Sequence, residues 1–298
     1  MTVSPEYTGS AIMIDLPFDI IQAYRQKTYR TLPGIGIHSK EEAIEYVSER
    51  GFIFFWPIKG VTLPSLWTAV AGDRPVANEH DDPGHITWGW KDSLLGKDSW
   101  FYAKILRKKA TMIAMDLVPS FYALSENYGA PEEDYLTIYE QGRMTRETKQ
   151  VYEVIIEKGP IDTVALRKAA HLTGRASDSS FTRALADLQA DFKIVPVAVT
   201  KSGAWRYAFA YDLLPRQYPN IPERARRISD KNARQQITTT YFGSVGAAQL
   251  KDVKKLFRWS TKHSLRTIDN MIAVGELMAD IQITDFPGEW YATPSLIS

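Results

Sequence analysis

The C-terminal half of the chain repeats itself. A repeat constrains a fold more tightly than a single motif, because each copy must be a unit that packs on its neighbour. Gly159 and Gly243 lie 84 residues apart, as do Leu166 and Leu250; Leu188 and Val274 lie 86 apart, and Trp205 and Trp290 lie 85 apart. Variation in loop length produces a drift of this size. The first copy reads as a helix at 145–157, with Val151, Val154 and Ile155 on its apolar face, and a break at Gly159-Pro160-Ile161-Asp162. A second helix holds Leu166, Ala169 and Ala170, and a third over 178–190 buries Phe181, Leu185 and Leu188. Asp162 suits the N-cap of the second helix, since a short carboxylate accepts from free amides of the first turn. Strands at 193–200 and 205–211 follow, joined at Lys201-Ser202-Gly203. In the second copy, a helix over 231–241 is ended by Gly243, and a helix over 247–257 turns Leu250 and Val253 inward. Ser260 caps a third holding Leu265, Ile268 and Ile272, and strands at 277–284 and 290–293 flank Pro287-Gly288-Glu289.

Three helices followed by a two-stranded hairpin is the order of a winged helix-turn-helix unit. The expected fold is α+β, predominantly helical, with tandem winged helix-turn-helix units at 142–215 and 216–298. Residues 1–141 read as an N-terminal lobe, a divergent winged helix with insertions. There, 17–31 is amphipathic, Ser39 and Glu42 have capping-box spacing, and Gly51 ends the helix they open. Phe52 to Trp56 reads as a buried strand. Residues 72–99 look like a loop carrying Trp88 and Trp90, 100–124 resume apolar and basic periodicity, and 125–141 look like an acidic connector.

A chain of 298 residues has room for two or three such units. With 36 basic and 35 acidic residues it exerts no global pull on nucleic acid, so any such role rests on local clusters. Zero Cys excludes disulfides and thiolate metal sites and fits a reducing cytoplasm, the expected location. No apolar run approaches the roughly 18 residues of a membrane span. The first ten residues show no basic patch followed by an apolar run, so no signal peptide is expected.

In a helix-turn-helix the third helix enters the major groove. The face of 178–190 opposite its apolar stripe presents Ser179, Ser180, Thr182 and Arg183, with Arg175 just upstream. Lys201, Trp205 and Arg206 are candidates in the hairpin, and Lys262, His263, Arg266 and Asn270 on the second copy. A first basic cluster is Lys104, Arg107, Lys108 and Lys109; as a helix it would place Lys104, Arg107 and Lys108 on one face. A second is the linker 216–234, with six basic residues, Arg227 among them, against Glu223 and Asp230. Solvated surface is the plain alternative for both.

His80-Asp81-Asp82-Pro83-Gly84-His85 is the one cluster of metal-ligand types, and it reads as a turn. No metal or cofactor is expected, although Asp81, Asp82 or His85 could activate water without one. Trp88 and Trp90 include a candidate for stacking on an unpaired base, with core filling as the plain alternative. No phosphate-loop spacing, Gly-x-Ser-x-Gly or Cys nucleophile is present.

Gly159-Pro160-Ile161-Asp162-Thr163-Val164-Ala165-Leu166-Arg167 resembles the start of helix two in winged-helix proteins of the AlkZ/YcaQ type. Tyr211-Asp212-Leu213-Leu214-Pro215, Tyr241-Phe242-Gly243 and Leu250-Lys251-Asp252-Val253 extend the resemblance over residues 140–298, and it runs weakly into the N-terminal half. The family comprises DNA glycosylases that release bulky N-alkylated purines and unhook crosslinks. Its resemblance implies a Gln-x-Gln or Gln-x-Asp motif on an early strand, and here that register falls on Phe54 and Trp56. A second family feature, an aromatic-x-His motif, falls near 104–111, where Lys108 stands and no His. The resemblance therefore implies a protein that binds double-stranded DNA, recognising alkylated or distorted duplex, without the known catalytic pair. Alternatives are a glycosylase with substituted catalytic residues and a protein-interaction scaffold.

Overall fold

The computed structural model describes residues 14–203 and 205–297. The described residues open on β1 (Ile14–Asp15) and α1 (Phe18–Thr28), followed by α2 (Lys40–Arg50), β2 (Phe52–Phe54), α3 (Leu66–Ala71) and α4 (Ile86–Ser93). A hairpin of β3 (Phe101–Lys104) and β4 (Ala110–Ile113) leads to α5 (Val118–Ala123) and α6 (Asp134–Glu140). The second region runs α7 (Arg146–Lys158), β5 (Ile161–Asp162), α8 (Thr163–Ala169), α9 (Asp178–Ala190), β6 (Ile194–Thr200) and β7 (Ala208–Leu213). Short helices α10 (Leu214–Gln217) and α11 (Asn220–Ala225) connect it to the third. That region holds α12 (Asp230–Val245), β8 (Ala247–Gln249), α13 (Leu250–Phe257), α14 (Thr261–Ala273), β9 (Met278–Gln282) and β10 (Trp290–Ala292). Across the described residues the protein is α+β, about half helical, with three small sheets.

The second and third regions share one plan. Their sheets run β5-β7-β6 and β8-β10-β9, each with a short strand ahead of the second helix that pairs antiparallel with the last strand. In the first copy Asp162 accepts from the amides of Val164 and Ala165 and starts α8. In the second, Gln249 and Asp252 close a capping box on α13. Asp162 and Gln249 are equivalent at a spacing of 87, as are the buried Leu166 and Val253. From Thr163 to Asp178 is 15 residues and from Leu250 to Thr261 is 11, so the spacing closes to 83 beyond the turn. Leu188 therefore matches Met271, both fully buried.

This register corrects four sequence expectations. Val274, paired in sequence with Leu188, is 63% exposed. Trp205 lies in the turn before β7, whereas Trp290 is buried in β10. Ala247 opens a strand, not a helix. Gly243 does not end its helix: burial of Tyr241, Phe242 and Val245 carries α12 through it to Gly246, whose φ of +74° suits a residue without Cβ.

The principal core crosses all three regions, joining Phe52 and Phe101 to Phe192 and Val195 and to Ile237, Tyr241 and Leu256. A separate core belongs to the second region and includes Tyr135 and Ile138 of α6 beside Val151, Leu166 and Leu188. Residues 72–99 and 125–141 thus contain α4 and α6, which sequence reads as loop and connector. The N-terminal segment docks on the third region. β1 pairs parallel with β9, Ile14 opposite Ile281. Arg25 of α1 donates to the carbonyls of Val245 at 3.0 Å and Ala247 at 2.8 Å, and Thr28 to that of Ser244 at 2.7 Å. The bonds to Ser244 and Val245 satisfy carbonyls that the end of α12 leaves open, and the bond to Ala247 ties α1 to the start of β8.

Candidate nucleic-acid interface

Helices α9 and α14 are each 13 residues long and amphipathic in the same sense. Phe181, Ala184, Leu185 and Leu188 are buried on α9, leaving Ser179, Thr182 and Arg183 exposed. Ser180 is half-buried, its hydroxyl donating to the Ser177 carbonyl at 3.1 Å. On α14, Ser264, Thr267, Ile268 and Met271 are buried, while Lys262, His263 and Arg266 are exposed and Asn270 half-buried. Arg183 and Arg266 are both the sixth residue of their helix, and Lys168 and Lys255 the sixth of α8 and α13. Arg175, Arg183, Lys262 and Arg266 have no ion-pair partner within 4 Å among the described residues. Arg266 feels the more distant Asp230 carboxylate without closing an ion pair with it.

The hairpin between β6 and β7 carries Lys201, Trp205 and Arg206, all exposed. Trp205 is 92% exposed, the most open large apolar side chain described. Ser202 donates to Asp162 at 3.1 Å and ties the turn to the start of α8.

Behind this hairpin lies a buried cation. Lys91 of α4 is 1% exposed; its ammonium pairs with Asp92 and donates to the Tyr207 hydroxyl at 3.0 Å. It faces the rings of Phe209 at 4.6 Å, Trp88 and Tyr102 at 5.2 Å, and Tyr207 at 5.8 Å. Burial pushes its pKa below the usual lysine value, opposed by the hydrogen bond to Asp92. Trp88 and Trp90 lie on this helix; Trp90 is buried, Trp88 reaches solvent and stands 5.5 Å from Trp56. With Phe55 at 5.9 Å its rings come from four separate segments, so no local pattern announces the arrangement.

The first basic cluster is not a helix face. Lys104 ends β3, and the tip that follows holds Arg107 and Lys108 with φ of +55° and +56°. Left-handed backbone costs a side-chain-bearing residue roughly 1–2 kcal/mol, so two in succession need a reason. Arg107 donates to the Lys255 carbonyl at 2.6 Å, and Lys108 pairs with Asp187 of α9. The tip thereby braces both C-terminal regions. Lys104 is partly buried, and its amide donates to Gln189 at 3.1 Å. The linker cluster is also largely engaged. Arg216 bonds the carbonyls of Ile156 and Gly159 and the carboxylate of Asp212, Arg224 pairs with Asp116, and Arg234 pairs with Asp230 while lying 4.6 Å over Trp259. Arg227 stays exposed, 3.6 Å from Glu223.

A cleft of about 470 Å³ opens where the regions meet, lined by Arg107, Lys108, Asp191, Arg258 and Trp259 among others. The surrounding walls push the pKa of Asp191, an acid at the rim, above the usual carboxylate value; Lys193 opposes the shift.

The turn 80–85 is put to structural use. Asp82 accepts from the Gly84 amide at 2.8 Å and from Arg74 at 2.7 Å, and Arg74 chiefly holds its pKa below the usual carboxylate range. His85 bonds the Ala77 carbonyl at 3.1 Å and packs on Trp67, and Asp81 is exposed. Among the described residues no three His, Asp or Glu side chains converge as metal ligands. Phe54 is fully buried in the principal core, and Trp56 leans on Phe55 and Trp88. Neither side chain can accept a hydrogen bond from water or ionise.

The second and third regions are thus copies of one helical unit with a hairpin in each, carrying exposed arginines outside any ion pair at matching helix positions. A family model described as AlkZ related matches residues 37–258, and the chain belongs to the AlkZ-related family. The match takes in most of the N-terminal lobe, where the sequence motifs are weakest, and stops before α14. Neither the comparison with curated proteins nor that with solved structures gave a match. Among the described residues no helix is long and apolar enough to cross a membrane.

Proposed function

We propose that this is a duplex DNA-binding protein whose residues 142–215 and 216–298 are tandem winged helix-turn-helix units, with the N-terminal lobe a divergent third. In this reading α9 and α14 are the groove-facing helices, Arg175, Ser179, Ser180, Thr182, Arg183, Lys262 and Arg266 meet the duplex, and Lys201, Trp205 and Arg206 contact phosphate or the minor groove. The observation that carries it is the equivalence of Arg183 and Arg266, exposed and without ion-pair partners at one helix position in two copies. The AlkZ-related assignment supports a link to DNA repair and, with it, preference for alkylated or distorted duplex. Phe54 and Trp56, aligned with the family's catalytic pair, favour recognition without base excision.

Fluorescence anisotropy with a 20-bp duplex tests binding. Arg183→Ala and Arg266→Ala should each weaken it by about 1–3 kcal/mol if the arginines reach base edges. A wild-type protein that ignores duplex at 50 mM salt would remove the reading and leave a protein-interaction scaffold. Incubation with duplex containing N7-alkylated guanine should release no base. Release abolished by Asp82→Ala would instead establish the substituted glycosylase.

A further inference from the structure

The hairpin tip gathers charge that neither helix face nor the braces use. Arg107 fixes the tip on the last turn of α13 through the Lys255 carbonyl. The Lys255 ammonium lies against Gly60, where an added Cβ would meet it at 3.0 Å, bringing Lys59 of the same loop alongside. Lys109 follows two residues after Arg107, and the Phe55 amide bonds the Ala110 carbonyl at 2.9 Å, holding the segment leading to Lys59 beside it. Lys59, Lys109 and Lys255 come from three segments and are all exposed. None of their ammonium groups has a hydrogen-bond or ion-pair partner among the described residues, whereas Lys108 in the same tip is paired with Asp187. Repulsion from Lys109 adds to burial in lowering the pKa of Lys104, as an uncompensated positive field would.

The bond from Arg107 to the Lys255 carbonyl and the contact of Lys255 with Gly60 bring three exposed, unpaired lysines onto neighbouring segments, a concentration of positive charge that an anion would offset. Their spread over three segments suits a run of phosphates better than a single small anion, and point-charge lysines suit backbone contact without base readout.

We propose that Lys59, Lys109 and Lys255 form a phosphate-backbone contact for duplex DNA, separate from the outward faces of α9 and α14. The proposal rests on the duplex-binding reading above and adds a contact that neither helix supplies. Each phosphate neutralised contributes about −0.9 to the slope of log affinity against log salt on B-form DNA.

The test measures affinity for a 20-bp duplex and a 20-nucleotide single strand between 50 and 200 mM salt. It compares the full wild-type chain, Lys59→Gln/Lys109→Gln/Lys255→Gln, and Arg183→Gln/Arg266→Gln as a comparator. The lysine variant should bind duplex at least tenfold more weakly at 50 mM salt, with a slope shallower by about 2 to 3. All three side chains are exposed, and circular dichroism checks that the variant is folded. Wild-type binding with an unchanged slope in the lysine variant would overturn this contact and leave the helix faces intact. A loss confined to the single strand would also overturn it, by assigning the patch to unpaired DNA. A wild-type chain that binds no duplex would remove both readings at once.

Discussion

Lys91 shows how far a single residue can depend on distant sequence. Its ammonium is buried among rings from the N-terminal lobe and from β7, with Asp92 and Tyr207 as polar partners. Removing one member of a buried pair typically costs 3–5 kcal/mol. Lys91→Ala should therefore lower stability by about that much in urea titration, and Lys91→Met, which also unpairs Asp92 but keeps the surrounding rings packed, by less. Because burial lowers the folded-state pKa below that of the unfolded lysine, the unfolded chain binds the proton more tightly between those two values. Stability should rise with pH through that window in the wild type, and the added slope should vanish in Lys91→Met. Local residues were legible: Asp162 and Ser39 cap helices because their partners lie within three residues. Lys91 was not, since a lysine beside an aspartate looks in sequence like ordinary surface.

At the scale of elements, the third helix of each copy was readable because its apolar stripe, its polar face and its boundary signal agree. α9 and the Ser260 cap of α14 stand where the pattern puts them. Strands β5 and β8, of two and three residues, are too short for alternation to register, and they appear only through pairing with β7 and β10. The candidate arginines could be named from sequence, but their equivalence could not, because the four-residue difference in the turns had misaligned the copies. Asp162 couples two elements, capping α8 and receiving the Ser202 hydroxyl from the hairpin turn. Asp162→Ala should cost about 1 kcal/mol by denaturant titration. The Ala165 amide, with Ser202 and Val164, holds this carboxyl below its usual pKa. Its contribution should be complete above the ordinary carboxylate value and shrink as pH falls through the folded value, so the two proteins should converge in acid.

Across the whole molecule, the principal core spans all three regions, while the second region keeps a core of its own. The hairpin tip adds the only braces described that reach both C-terminal regions from one turn. Arg107→Ala/Lys108→Ala should keep the fold yet speed amide hydrogen exchange at 105–109 and in the last turn of α13, where the Lys255 carbonyl loses its donor. Protection unchanged in both segments would argue that the shared core alone holds the regions together. Such long-range joints leave no local periodicity, which is why sequence places Lys104, Arg107 and Lys108 on a helix that does not exist. The docking of β1 and α1 against β9 and α12 carries a consequence for biogenesis. Ile14 meets Ile281, 267 residues later, and at about 5–20 residues per second that interval takes roughly 15–50 s to synthesise. Over that interval β1 has no β9 to pair with, so the sheet that joins them cannot close before the intervening regions have been made.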